Sequence, residues 1–211
     1  MLLFWSIFCK FGTNIATNRI MKKLQLIVTF LAFGALMSVQ NAPVESETVI
    51  NWLTLEEALE LQKKTPKKIF MDVYTNWCGP CKLLDKNTFH NPDVVKYINE
   101  NYYAVKFDAE GNSTVTYKDR TFSNPNFDPA KVKRRNGVHE FTRFLKVSAY
   151  PSMLFFDEEA NYLTPVTGYL KPQQLELYLK LFAEDKHKEM TTQEKFNDYY
   201  RAFKPTFKVV Q

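Results

Sequence analysis

Residues 77–82, WCGPCK, place two cysteines two residues apart directly after a compact apolar segment. That segment, Ile69 to Tyr74, is rich in strand-forming residues and bounded by polar ones, which predicts a buried strand. Helical spacing continues beyond Cys78 and gives way between Asn87 and His90. A strand that ends just before a helix puts Cys78 at the positive end of the helix dipole, where a thiolate is favoured. We therefore expect Cys78 to be exposed and easily ionised, with Cys81 one turn deeper.

Cysteine pairs of this spacing serve either zinc binding or redox chemistry. The ring that Cys78 and Cys81 would close is too small to join distant parts of a fold, so their use should be chemical. Zinc needs three or four protein ligands, whereas the chain adds only His90, His139 and His187, which are scattered without ligand spacing. The sequence favours redox chemistry and predicts no metal, and it gives the three histidines no role.

The WCGPCK segment resembles the active site of the thioredoxin family. Asp72 lies six residues before Cys78, where thioredoxins carry a buried acid that assists deprotonation of the resolving cysteine. Tyr150-Pro151 precedes an apolar strand and matches the family's cis-proline loop, which faces the disulfide and binds the substrate backbone. Gly168 and residues 170–175 match the last strand and closing helix. The resemblance spans roughly residues 50–183, interrupted by an insertion.

This resemblance implies a role for each matching residue. Cys78 would be the nucleophile, Cys81 the resolving cysteine and Asp72 the buried acid and base. The residues implied in substrate binding are Trp77, Gly79, Pro80, Tyr150 and Pro151. No segment suggests a bound flavin or nicotinamide, so we expect no cofactor and a thiol protein as the electron donor.

Three details depart from thioredoxin itself and look closer to exported thioredoxin-like proteins, found alone or as end domains of membrane disulfide reductases. Lys86 stands where thioredoxin has a helix-bending proline, so residues 87–92 are expected to supply the break. Tyr150 replaces the usual small or aliphatic residue before the cis-proline. Lys106 is only an ambiguous counterpart of the lysine that neighbours the buried acid, and we assign it no role.

Other segments give local predictions. Thr54 and Glu57 form a capping-box pattern for a helix to about Lys64, and Asn91 caps another helix. Further predicted elements are a strand over 102–107, a hairpin of 115–117 with 120–122, helical spacing over 138–144, a hairpin of 152–156 with 162–167, and a helix over 172–183. Thr191 with Glu194 predicts the cap of a last helix.

The order of these elements predicts an α/β fold with one central mixed β-sheet flanked by helices. By resemblance this is the thioredoxin fold, with an insertion over 109–137 after the second core strand and an extra C-terminal helix. We expect a thioredoxin-like domain over 43–185 and a C-terminal helical extension over 186–211. The basic run from Lys131 to Arg135 is interpreted as a solvated loop. Four aromatic residues are expected to dock the last helix on the core: Phe196, Tyr199, Tyr200 and Phe203.

The formal charge of +5 is concentrated at the N-terminus. The 4 basic residues before Pro43 leave 24 against all 23 acidic residues, a formal charge of +1, which removes the main support for nucleic-acid binding. Lys22 and Lys23 followed by an apolar run predict a leader or signal peptide over 1–42, with Met21 as a candidate start. If translation starts at Met21, Cys9 belongs to no mature protein. We expect export to the periplasm or cell envelope, with membrane contact only through an uncleaved leader.

The leading functional hypothesis is a thiol-disulfide oxidoreductase that reduces protein disulfides through a Cys78/Cys81 dithiol-disulfide cycle. Its expected partners are protein disulfide substrates and a thiol electron-donor protein, and we expect a monomer. The alternative is a redox-sensing binding or assembly module on the same fold, in which the 109–137 insertion grips one specific partner. Turnover of a protein disulfide that depends on Cys78 separates the two hypotheses.

Overall fold

The computed structural model describes residues 49–208, so the predicted leader and Cys9 lie outside the described residues. The strands are β1 (Trp52–Leu53), β2 (Lys68–Tyr74), β3 (Tyr102–Asp108), β4 (Val115–Tyr117), β5 (Arg120–Phe122), β6 (Ser152–Phe156) and β7 (Tyr162–Thr167). Five of them form the main sheet in the order β1-β3-β2-β6-β7, and β4 and β5 form a separate hairpin. Strands β1, β3 and β2 are parallel, whereas β6 and β7 run antiparallel to their neighbours.

Helices cover both faces of the sheet and connect its strands. They are α1 (Leu55–Lys64), α2 (Gly79–Leu84), α3 (Pro92–Asn101), α4 (Glu140–Phe144), α5 (Pro172–Ala183) and α6 (Gln193–Ala202). A π-helical turn, Asp85–Phe89, extends α2, and short 3-10 turns occur at Pro129–Lys131 and Lys186–Glu189. This arrangement confirms the predicted mixed sheet flanked by helices and the extra C-terminal helix. The two-residue strand β1 was not predicted.

Helix caps agree with the sequence at two of three positions. Thr54 and Glu57 form the predicted capping box, and Asn91 accepts hydrogen bonds from the first turn of α3. The predicted cap at Thr191 is wrong by one residue, because the Thr192 side chain accepts from the N–H of Lys195. Adjacent threonines offer the same chemistry, so the choice between them depends on how the preceding turn is built.

Strand β2 lies at the centre of the sheet and sends alternate side chains to opposite faces. Ile69, Met71 and Val73 pack in one hydrophobic cluster with α1, α4 and the β4–β5 hairpin. Phe70 packs in a second cluster with α3, α5 and the end of the motif helix α2. Asp72 shares the parity of Phe70, so the alternation directs its side chain to the motif-helix face.

The insertion contributes to the core on one face of the sheet. Its hairpin has the predicted register across Lys118 and Asp119, both of which have positive φ angles. Val115, Tyr117 and Phe122 are buried beside Phe141 of α4. The aromatic residues of the hairpin thus fill the space between α1, α4 and the sheet.

The C-terminal segment is held against the domain by the buried carboxylate of Glu176 in α5. That carboxylate accepts hydrogen bonds from the backbone N–H groups of Thr206 and Phe207 and from the Lys180 ammonium group at 2.6 Å. Phe207 and two aromatic residues of α6, Phe196 and Tyr199, pack against the second hydrophobic cluster. The predicted docking by aromatic residues therefore holds for Phe196 and Tyr199.

Tyr200 is 54% exposed and does not take part in this docking, which corrects the prediction for that residue. It lies one position after Tyr199, so its side chain points about a quarter turn away around the helix. Within residues 49–208, every helix is too short or too polar to cross a lipid bilayer.

We expect Glu176→Gln to lower the free energy of unfolding by about 2 kcal/mol, because the neutral amide loses charge-assisted hydrogen bonds in a buried position. Burial raises the pKa of Glu176, but the bonds from Lys180, Thr206 and Phe207 outweigh burial and lower it below 4.5. The stabilisation is therefore present at neutral pH and is lost as the pH falls through that lowered pKa. Urea unfolding at several pH values measures both effects. The exposed Glu194→Gln is the matched control, and equal stabilities of the two variants would contradict the prediction.

Candidate active site

The two cysteines lie where β2 gives way to the motif helix. Cys78 is the N-cap residue of α2, and its Sγ atom accepts a hydrogen bond from the N–H of Cys81 at 3.1 Å. The two residues form a disulfide with their Cα atoms 5.3 Å apart. Gly79 and Pro80, which separate them, are exposed. Pro80 sits in the first helical turn, where the missing N–H removes no helical hydrogen bond.

The expectation that Cys78 is exposed is wrong for the disulfide form. Cys78 is 3% exposed and Cys81 is 7% exposed, so neither is the more deeply placed by a clear margin. The Cys78 sulfur points into the first turn of the helix, because it is bonded covalently to the Cys81 sulfur and accepts a hydrogen bond from the Cys81 N–H. The solvent-facing surface of the motif is instead formed by Gly79 and Pro80.

Asp72 lies in the central strand of the sheet and is buried, with 3% of the residue exposed. Its Oδ1 atom has no hydrogen-bond partner among the described residues. Burial raises the pKa of Asp72 to about 7, which the positive charge of Lys106 opposes and the negative charge of Asp85 reinforces. The group can therefore exchange a proton near neutral pH.

Lys106 lies beside Asp72 because the two are paired in the parallel register of β2 and β3. Its ammonium group forms an ion pair with Asp85 and lies 5.1 Å from the centre of the Trp52 ring. Asp72, Cys81, Asp85 and Lys106 line one cavity of about 290 Å³. The structure thus gives Lys106 a place in the site, although the sequence alone assigned it none.

Asp85 reaches Lys106 from the π-helical turn that follows α2. The sequence placed the break in the motif helix at residues 87–92, whereas the change in winding already begins at Asp85 and ends at Phe89. Lys86 lies inside this turn. A π turn re-aims side chains without ending the helix, and such turns are frequent at functional sites.

The loop before β6 lies next to Trp77, because the Tyr150 ring contacts the indole ring. The peptide bond between Tyr150 and Pro151 is cis, as the resemblance implied, and Pro151 is buried. The N–H of Gly168 donates to the carbonyl oxygen of Pro151 at 2.8 Å, and Gly168 has a φ of +102°, which favours glycine. The Ser152 hydroxyl donates to the carbonyl oxygen of Ala149 at 2.8 Å. These bonds fix the loop at the end of the sheet.

Trp77 connects the motif to the insertion. Its Nε1 atom donates to Glu110 at 2.7 Å, and its ring meets the Tyr150 ring edge to face with centres 6.2 Å apart. The guanidinium group of Arg135 lies 4.8 Å from the centre of the Trp77 ring. Glu110 also accepts the N–H of Asn136 at 2.7 Å. No pattern in the sequence marks Glu110, and the solvated-loop interpretation did not foresee that Arg135 stacks on Trp77.

Of the three histidines, His139 has a structural role in the fold. His139 is buried and caps α4, with Nδ1 accepting from the N–H of Phe141 and Nε2 contacting the carbonyl oxygen of Ser113 at 2.7 Å. This structural role was not recognised in the sequence. Among residues 49–208, no three His, Cys, Asp or Glu side chains are grouped so as to hold a metal ion.

Comparison with known proteins agrees with this geometry. The family model described as a thioredoxin-like domain matches residues 55–183, and the chain belongs to that family. The chain is 29% identical over 176 residues to the thiol:disulfide interchange protein DsbD of Actinobacillus pleuropneumoniae serotype 5b, covering 76% of this chain and 26% of the relative. The DsbD protein of Klebsiella pneumoniae is 28% identical over 151 residues, covering 71% of this chain and 21% of the relative.

The chain thus spans about a quarter of the length of these two curated relatives. Among solved structures, a thioredoxin-fold protein from Helicobacter pylori superposes with a TM-score of 0.50 and 14% identity. That superposition covers 75% of this chain and 93% of the other, and at this identity it supports the fold alone.

Replacing the buried carboxyl group should change how stability depends on pH. The pKa of Asp72 is raised from 3.8 to about 7 in the folded protein, so ionising it disfavours folding and stability falls as the pH rises between those values. We expect Asp72→Asn to remove this fall and to stabilise the oxidised protein at pH 8 by up to about 4 kcal/mol. Urea unfolding from pH 4 to 8 measures the change. Asp119→Asn, in the exposed hairpin turn, is the control, and an unchanged slope in Asp72→Asn would contradict the prediction.

Proposed function

We propose that this protein is a thiol-disulfide oxidoreductase that reduces disulfides of other proteins in the cell envelope. The observation that carries the proposal is a Cys78–Cys81 disulfide at the start of a helix, with Cys81 and the buried Asp72 lining one cavity. The family match and the thiol:disulfide interchange relatives support the same chemistry. The described disulfide is the oxidised end of the cycle.

In the forward reaction, the reduced Cys78 thiolate attacks one sulfur of the substrate disulfide. A new S–S bond forms to Cys78, the substrate S–S bond breaks, and the first substrate sulfur leaves as a thiolate. The N-cap position of Cys78 favours its thiolate, because the N–H of Cys81 points at the sulfur and the helix dipole is positive there.

Cys81 then resolves the mixed disulfide between Cys78 and the substrate. Its thiol gives a proton to Asp72, and the resulting thiolate attacks the Cys78 sulfur, which releases the second substrate thiolate. Two electrons have then passed to the substrate, and the protein holds the Cys78–Cys81 disulfide. Asp72 suits this transfer, because burial raises its pKa to about 7 and the best pKa for a catalytic base lies near the working pH. Thiols of an electron-donor protein return the cycle to its start.

Substrate binding is proposed at the surface next to the disulfide. Gly79 and Pro80 are exposed there, and the neighbouring loop with the cis peptide at Tyr150-Pro151 is proposed to supply the backbone that contacts the substrate. Trp77, in edge-to-face contact with Tyr150, connects the motif to this loop. An extended substrate segment would lie across this surface, with its backbone against the cis-proline loop.

The proposed direction is reduction. A Gly-Pro dipeptide between the cysteines is the pattern of the reducing thioredoxin, for which the reduction potential is about −270 mV, against about −120 mV for a strong periplasmic oxidant. The predicted leader over 1–42 supports export, and the exported form is proposed to act as a monomer. A measured potential above about −150 mV would contradict the reducing role.

Substitution of each cysteine tests the reaction. We expect Cys78→Ser to abolish reduction of an insulin-type disulfide, since the attacking sulfur is gone. Cys81→Ser should accumulate mixed disulfides with substrates, because resolution is blocked. Release of substrate thiols measures the first effect, and gel separation without reductant shows the second. If the wild-type protein shows no turnover, or if Cys78→Ser turns over equally fast, the oxidoreductase hypothesis is rejected.

Substitution of the buried acid tests the resolving step. We expect Asp72→Asn to slow disulfide reduction at pH 7 by at least about tenfold, because general-base catalysis contributes factors of about 10² or more. In the wild type the rate should rise with pH as Asp72 ionises near its pKa of about 7, and this rise should disappear in the variant. Single-turnover kinetics across pH 5–9, in about 0.1 M salt, resolve both effects. The same pH profile in both proteins would exclude Asp72 as the proton acceptor.

A redox-sensing binding module remains the second candidate. Contacts of Glu110 and Arg135 with Trp77 favour it, because they couple the 109–137 insertion to the residue beside Cys78. Such a module would bind one partner in a redox-dependent way without general disulfide turnover. The turnover experiment above separates the two candidates.

A further inference from the structure

A cleft of about 460 Å³ opens between the motif and the insertion. Its walls combine the active-site aromatic residues with the far end of the insertion and the loop before the cis-proline. The residues that line it include Trp77, Glu110, Arg135, Val147, Ala149 and Tyr150. The cleft therefore continues the proposed substrate-binding surface away from the disulfide.

A run of basic residues in the insertion leads up to the cleft, and its last member, Arg135, lines it. Lys131, Lys133, Arg134 and Arg135 are all exposed in a run of five residues. Lys131 pairs with Asp128 at 3.1 Å. Within residues 49–208, the charged groups of Lys133, Arg134 and Arg135 make neither an ion pair nor a hydrogen bond. The positive charge of Arg134 nevertheless helps to lower the pKa of Asp128, so the cation that borders the cleft without an ion pair is Arg135.

Arg135 is held in a defined position at this cleft. Its guanidinium group stacks on the Trp77 ring, and the ring is anchored by the bond from Nε1 to Glu110. Glu110 also accepts the N–H of Asn136, the residue after Arg135, so one carboxylate fixes both the indole and the chain that carries the guanidinium. Stacking leaves the N–H donors at the edge of the guanidinium plane free to bind a carboxylate.

We propose that this cleft recognises a polypeptide partner that carries an aspartate or glutamate close to its reactive cysteine, and that Arg135 binds that carboxylate. The inference rests on the proposed function, because it names the chemistry of the substrate at the same site. Charge complementarity carries it: a guanidinium that stacks on Trp77 and forms no ion pair within residues 49–208 borders the cleft. The neighbouring carboxylate, Glu110, is already engaged by two donors.

Short peptide disulfides test the preference directly. Each peptide contains one cysteine flanked by Glu, Gln or Lys and is oxidised to its disulfide dimer. Pre-reduced full-length protein is mixed with each peptide, and the released thiol is measured in a single turnover. Because flanking charges also change the reactivity of the peptide, each rate is divided by the rate with dithiothreitol. We expect the Glu peptide to exceed the Gln peptide by about fivefold at low salt and by less at high salt.

Three variants locate the preference. Arg135→Gln should lower the ratio of the normalised rates for the Glu and Gln peptides to less than about twofold. Arg135→Glu should make the Lys peptide the fastest, because the charge at the cleft is reversed. Arg201→Gln removes the same charge from α6 and should leave the ratio unchanged. Thermal unfolding of each variant verifies that it is folded.

The outcomes distinguish this inference from the function on which it rests. Equal normalised rates for the three peptides in the wild type, or an unchanged ratio in both Arg135 variants, overturn recognition by Arg135 and leave the reductase intact. Absence of reduction of every peptide and of insulin rejects the oxidoreductase itself and the inference with it.

Discussion

The proposed chemistry of the site depends on the burial of one carboxyl group in the central strand of the sheet. Asp72 lies between apolar neighbours in β2, and the same period-two alternation that packs Phe70 against the helices turns the carboxyl group under the motif helix. Burial of a charge is costly, and Lys106 offsets only part of the cost because its ammonium group is paired with Asp85. The fold accepts an unfavourable group at the position where the proposed resolving step needs a proton acceptor near neutral pH.

The sequence predicts those parts of the fold whose causes are local. The Thr54–Glu57 capping box and the hairpin across Lys118-Asp119 are specified by residues only a few positions apart. Strand β1 has only two residues and exists because it pairs with β3, so no local periodicity marks it. The π turn at 85–89 has no simple sequence pattern, and the helix-breaking residues at its end led to the prediction of a break at 87–92 instead.

The candidate site divides in the same way. Cys78, Cys81 and Asp72 lie on one continuous strand-to-helix segment, so their proximity follows from the sequence once that segment is recognised. Glu110 lies 33 residues from Trp77, and Arg135 follows a further loop, so their contacts require the complete packing of the insertion. The low exposure of Cys78 also escaped prediction, because it depends on where the sulfur points within the first helical turn.

The insertion combines two parts under different constraints. Val115, Tyr117 and Phe122 complete the hydrophobic interior, so removing the whole segment would open the core. The exposed run 131–135 takes no part in the hydrophobic interior, since its residues are exposed and Arg135 contacts the indole of Trp77. Substitutions in the exposed run 131–135 would therefore alter the surface beside Trp77 without opening the core, whereas substitutions of the buried hairpin residues would disturb the packing of the sheet.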